Sequence, residues 1–121
     1  MDEKAALQRM NLLIPVYAEA ESWELAKQAG FGMEEEGIPY ALIESMTPFE
    51  EALAASQRPG LGVALGISQT EGIGLFSRIL KESLPVFCIK EPSRAQARIL
   101  GKNGARIIKK SPFMDWEEKD V

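Results

Sequence analysis

The stretch NLLIPVYAEAESWELAKQAGFGMEEEGIPYALI, Asn11 to Ile43, decides the fold class. It opens with a short apolar run, Asn11 to Tyr17, that reads as a strand. Pro15 within it points to an edge or bulge position, because proline has no N–H to give to a sheet ladder. Ser22 offers an N-cap side chain and Glu24 an acid in the first turn, so a helix is expected from Ser22 to Glu36, where Gly37 and Pro39 supply the stop. Ala26, Ala29, Gly30 and Met33 fall at i, i+3, i+4 and i+7, one face that packs on a neighbouring layer, and Gly30 permits close approach. Tyr40 to Ile43 continues as a strand. Strand, helix and strand in immediate succession form the unit from which α/β domains are built.

The alternation continues outward from that unit. Thr47 caps a second helix opened by Pro48 and running through FEEALAASQ, and Arg58-Pro59-Gly60 breaks it. LGVALGIS (61–68) reads as an apolar, glycine-rich strand and Gln69 to Gly72 as a turn. IGLFSRIL (73–80) alternates as the second strand of a hairpin, with a helix over Gly74 to Ser83 as the open alternative. LPVFCIK (84–90) is apolar at nearly every position and is expected as a central, buried strand, with Cys88 a small core hydrophobe rather than a reactive thiol. Pro92 and Ser93 open a last helix through ARILGKNGARIIKK, on which Ala97, Leu100, Gly101, Gly104 and Ile108 share one face, and Pro112 ends it. The expected architecture is α/β: a single domain over residues 1–121 with a mixed, mostly parallel sheet flanked by helices, and flexible ends at about 1–9 and 114–121.

Composition narrows the functions such a domain can have. A chain of 121 residues, 45% hydrophobic and 26% charged, is the size and make-up of one globular domain. Its net charge of -4 has the wrong sign for a protein that gains affinity by neutralising nucleic-acid phosphates. Without a histidine it has no Ser-His-Asp or Cys-His arrangement and no His-ligated metal, and with one cysteine it has no internal disulfide. The N-terminus MDEKAALQRMNLLIPV mixes acids with bases, unlike a signal peptide, and no stretch nears the roughly 20 apolar residues of a membrane span. A cytoplasmic protein with neither nucleic-acid nor membrane partner is expected. Gly60, Gly62 and Gly66 lie in an apolar strand with no Gly-Lys-Ser/Thr after them, which suits close backbone packing better than a phosphate loop.

Two charge patterns stand out. Glu34, Glu35 and Glu36 occupy the last turn of the first helix, where the macrodipole makes each anion unfavourable by up to about 1 kcal/mol. At 100° per residue, Glu35 lies opposite the Ala26/Gly30/Met33 face and shares the outward side with Phe31, Gln28 and Glu24. It is either a solvated helix end or a docking surface, in which Glu35 meets a cation from outside: a partner's Arg or Lys, or a shared divalent ion, since hard ions prefer carboxylate oxygens. Arg94, Arg98, Lys102 and Arg106 recur every fourth residue on the last helix, with Lys109 and Lys110 following. That stripe is either solvated or faces a partner's acidic surface.

GMEEEGIP (32–39) and GKNGARIIKKSPF (101–113) make the chain resemble the small subunit of the diol/glycerol dehydratase reactivating factor, within the family that also holds dehydratase medium subunits. That family carries Gly-Ile-Glu-Glu-Glu-Gly-Ile-Pro before a strand and a Gly-Asn-Asn-Ala-Ala-Arg helix ending in Lys, then Pro-Phe. Here Met33, Lys102 and Gly104 are the departures, together with the absence of the histidines that reactivase small subunits usually carry. The medium subunit of the cobalamin-dependent dehydratase itself shares both motifs and is the alternative. Pro39, the short Ser111-Pro112-Phe113 ending and the lack of long extensions favour the reactivase. The resemblance implies a Rossmann-like or anticodon-binding-domain-like fold and a non-catalytic role beside a large ATPase subunit. The complex would release damaged cobalamin from the dehydratase by subunit exchange, so that adenosylcobalamin can enter, in the cytoplasm or a microcompartment. It further implies Glu35 as ligand of a Mg2+ shared with the large subunit, with no cofactor held by this chain alone. Glu34 and Glu36, Phe31 and Arg106 would then contribute to the partner surface. A free-standing small-ligand-binding domain is the remaining class; no apolar segment gathers the convergent polar groups it would need.

Overall fold

The computed structural model describes residues 12–80 and 83–115. Five strands form one sheet in the order β2-β1-β3-β4-β5, with β1 at Ile14–Ala18, β2 at Tyr40–Glu44, β3 at Val63–Ser68, β4 at Gly72–Ser77 and β5 at Phe87–Ile89. Helices α1 (Trp23–Glu35), α2 (Pro48–Gln57) and α3 (Arg94–Lys109) cover it. β1 pairs in parallel with β2 and β3, whereas β3–β4 and β4–β5 are antiparallel. The sheet is therefore mixed, with parallel and antiparallel pairs in equal number rather than mostly parallel. The parallel β2-β1-β3 group is shared with doubly wound sheets; the antiparallel β4 and β5 depart from them.

Alternation along the strands builds two cores. Ile14, Val16, Leu65, Ile67, Ile73 and Leu75 point to the face covered by α1 and α3. Tyr17, Ala64 and Phe76 point to the face covered by α2, where Phe49 meets Phe76 edge-on with centroids 5.4 Å apart. The expected small face of α1 is buried as read, and so are Ala97, Leu100, Gly101 and Gly104 of α3, with Ile108 partly so. A Cβ on Gly101 would run into the Ala29 carbonyl, and one on Gly32 into the Arg98 carbonyl. These reciprocal glycines are what let the two helices lie backbone to backbone.

Two strand readings change and one open choice closes. The 84–90 run is not central: β5 lies at the sheet edge, paired with β4 alone, because a run apolar on average says nothing of how many neighbours it has. Cys88 is not a core residue: it alternates away from Phe87 and Ile89 and is exposed, and partial desolvation followed by the Glu71 charge pushes its thiol up. Pro15 is not at an edge. Ile14 N–H donates to Pro39 O on the β2 side at 3.0 Å, so Pro15's nitrogen turns toward β3, where the ladder begins only at Val16. The hairpin strand is found as read, at Gly72–Ser77, and the helical alternative from Gly74 falls.

The caps also differ from expectation. Ser22 and Thr47 make no side-chain cap bond, and a 3-10 turn at Ala20–Ser22 leads into α1. Ser93 and Gln96 form a complete capping box on α3. At the other end of α1, Gly37 adopts φ 78° and the bonds Gly37 N–H to Glu34 O and Ile38 N–H to Met33 O close a Schellman motif, so the Gly37 stop is as expected. Lys110, at φ 58°, ends α3 the same way. Of the expected loose ends, residues 1–9 and 116–121 lie outside the described residues, while Met114 is bonded through its N–H and C=O to the buried Asn103 amide.

Candidate functional site

β1 and β5 both run upward, so the helices that follow them, α1 and α3, both run down the same face and end at the lower end of the sheet. Two parallel helices bring two negative dipole ends together there, and Glu34, Glu35 and Glu36 add three anions. Compensation comes from inside the chain, which corrects the expectation of an electrostatically unrelieved tip. The α3 stripe runs beside the acidic turn: Glu35 Oε1 lies 3.4 Å from Arg98 Nε and 3.3 Å from Lys102 Nζ. Glu36 Oε2 accepts from Arg106 Nε and Nη2 at 3.2 and 3.0 Å, and its Oε1 and carbonyl accept from Lys109 Nζ at 3.0 and 3.1 Å.

These two neighbouring acids are held differently. Glu36 is only 11% exposed and the hydrogen bonds from Lys109 and Arg106 hold its carboxyl below the usual range, against the opposing effect of burial. Glu35 is 45% exposed and outward, as the helical arithmetic placed it, with Phe31 beside it; the Arg98 guanidinium sits over the Phe31 ring at 5.7 Å. Glu34 is exposed and accepts a long bond, 3.5 Å, from the Tyr40 hydroxyl, whose pKa is raised by burial and then by Glu34's charge. Phe31, Glu34, Glu35 and Arg98 line one open cavity of about 330 Å³.

The structure thus gathers all five residues expected at a partner surface, Phe31, Glu34, Glu35, Glu36 and Arg106, at one end of the fold. Arg106 faces inward, tying Glu36 to the Pro112 carbonyl. Arg98, Lys102 and Lys109 were legible as a stripe but not as the partners of this acidic turn, and Tyr40 carried no signal beyond its strand. Among the described residues no three His, Cys, Asp or Glu side chains converge as a metal site, so an ion at Glu35 would need most of its ligands from outside the chain. Two carboxylates on one open cavity, Glu34 and Glu35, are nonetheless hard donors of the kind a divalent ion accepts.

Exposed apolar side chains collect at this end as well. Leu12 precedes β1, Ile79 and Leu80 follow β4, Leu84 precedes β5, and Phe113 follows α3, its ring packed edge-on against Phe87 at 5.0 Å. Met46, 92% exposed, is the exception at the upper end. The upper end is where parallel strands of α/β sheets usually bind ligands. Here Glu19 takes the Gln69 N–H at 2.8 Å and Ser68 Oγ takes the Glu71 N–H at 2.9 Å across the ends of β1 and β3, leaving a crevice of about 220 Å³. Among the described residues no helix is long and apolar enough to cross a membrane.

Comparison with known proteins gives this arrangement a setting. The family described as Dehydratase medium subunit matches residues 12–114. The propanediol dehydratase-reactivating factor small subunit of Citrobacter freundii is 33% identical over 112 residues, covering 87% of this chain and 95% of its own length. Among solved structures, a glycerol dehydratase reactivase superposes with a TM-score of 0.73 at 21% identity, over 86% of this chain and 97% of that one, a likeness of fold. A diol dehydratase-reactivating factor, complexed with ADP and Mg2+, superposes with a TM-score of 0.72 at 25% identity, over 85% and 97%. A match spanning nearly the whole described fold, with a reactivating-factor small subunit paired almost end to end, means that the chain belongs to the dehydratase medium subunit family, beside the small subunits of dehydratase-reactivating factors.

Proposed function

We propose that this chain is the accessory small subunit of a reactivating factor for a cobalamin-dependent diol or glycerol dehydratase, and that its lower end docks on a large, nucleotide-binding subunit. The observation that carries the reading is the outward Glu35 carboxylate, 45% exposed on a cavity it shares with Glu34 and Phe31, at the end where Leu12, Ile79, Leu80, Leu84 and Phe113 are also exposed. Apolar side chains gathered around charged groups are what a protein partner buries. Glu35 and Glu34 would be this chain's ligands to a shared Mg2+, which would supply a positive charge for these carboxylates at the interface. ATP turnover belongs to the large subunit, as the ADP and Mg2+ in one solved reactivating factor suggest. Exchange with the matching dehydratase subunit, release of damaged cobalamin and a cytoplasmic or microcompartment location follow from the family likeness alone.

Titration calorimetry with the large subunit in the presence of Mg2+ tests the reading. Glu35→Gln is expected to weaken assembly at least tenfold while the isolated subunit keeps its melting temperature within about 2 °C, because an outward carboxylate adds little to the core. Unchanged affinity would remove Glu35 from the interface. The second reading, a medium subunit of the dehydratase itself, is favoured by the family's description. A pull-down that retained catalytic dehydratase subunits and cobalamin, with no ATPase, would establish it in place of the first.

A further inference from the structure

We infer that Arg98 and Lys102 are an internal rival for the Glu35 carboxylate: they hold it in the free subunit, and it must leave them when the partner and its divalent cation arrive. The inference rests on the docking reading above and adds what regulates that site. Both cations approach the same oxygen, Oε1, at 3.4 and 3.3 Å. A divalent ion brought to that carboxylate would meet two positive charges at contact range, so the two modes oppose each other.

The pair is built to be exchanged. Arg98 Nε is closed off from water, yet it makes no hydrogen bond and only the long 3.4 Å ion pair, so its N–H is poorly answered. Neighbouring Glu36, by contrast, accepts at 3.0 to 3.2 Å from two cations, and Lys109 also bonds its carbonyl. That acid is a fixture, so Glu35 is the member of the turn that can change partners. Arg98 has somewhere to remain when Glu35 leaves, over the Phe31 ring at 5.7 Å.

The test is the Mg2+ concentration that gives half-maximal assembly of small with large subunit, read by calorimetry across a Mg2+ series. Arg98→Gln and Lys102→Gln, made separately, are each expected to lower that concentration by about two- to fivefold, the range of exposed ion pairs. Affinity at saturating Mg2+ reads any direct contact of these side chains with the partner. Glu35→Gln serves as the reference. If it abolishes the Mg2+ dependence while the two cation variants leave the midpoint unchanged or raise it, the rivalry is overturned and the docking reading stands. If Glu35→Gln leaves the Mg2+ dependence intact, both fall together.

Discussion

At the upper end of the sheet, where β1, β2 and β3 deliver their carboxyl ends, polar groups answer one another within the chain: Glu19 meets Gln69, Ser68 meets Glu71, and Ser93 and Gln96 cap α3. At the lower end, Leu12, Ile79, Leu80, Leu84 and Phe113 face solvent, and the Glu35 carboxylate meets its own cations only at 3.3 to 3.4 Å. A sheet of this class usually works at its upper end. Here the exposed apolar side chains, Met46 apart, and the outward Glu35 lie at the opposite end. The difference supports the proposed docking of the lower end on a protein partner. Upper-end substitutions should therefore cost stability and spare assembly, and substitution of the outward Glu35 the reverse.

The largest expected effect breaks the frame on which the comparison stands. Gly101→Ala places a Cβ against the Ala29 backbone carbonyl, which cannot move as a side chain would, and should cost about 2 to 3 kcal/mol by thermal unfolding. Tolerance would show that α1 and α3 can part, so that their contact does not set the tip's ion pairs. Next, Ser93→Ala removes the capping box at the upper end and should cost about 1 kcal/mol with affinity for the large subunit unchanged. A loss of affinity without a loss of stability would put the partner at the upper end and reverse the comparison.

The smallest effect separates the two acids of the lower end. Glu36→Gln should cost about 1 kcal/mol or less at neutral pH, as partly exposed ion pairs do. Because the Lys109 and Arg106 hydrogen bonds depress the Glu36 pKa, its contribution is fully present above the ordinary glutamate value. It is lost as pH falls through the lowered one. Denaturant unfolding of the two proteins should therefore differ near neutrality and converge in acid. A difference that persisted in acid would mean that Glu36 acts through packing and not through charge.

How much of this was legible depended on the range of the interaction. Ala26, Ala29, Gly30 and Met33 declared a buried face through their spacing, and Gly37 declared the helix stop, since both depend on residues within a turn or two. Glu35 was correctly turned outward by the same arithmetic. The reading that β5 is central failed because strand composition reports burial in general and not the number of paired neighbours. Nothing in the spacing of the last helix singled out Asn103, which is fully buried. Only the folded chain shows its amide taking both backbone groups of Met114, which holds Phe113 on Phe87.

By itself, the order of residues determined an α/β domain, the faces of its helices, an acidic turn that needed relief and a basic stripe with the charge to supply it. Tertiary structure alone decided that these two meet. Glu36 and Arg106 stand 70 residues apart, and no period or local propensity records which helix lies beside which. That choice is made where Gly32 and Gly101 let two backbones touch, and it left Glu36 nearly buried among its cations and Glu35 half exposed.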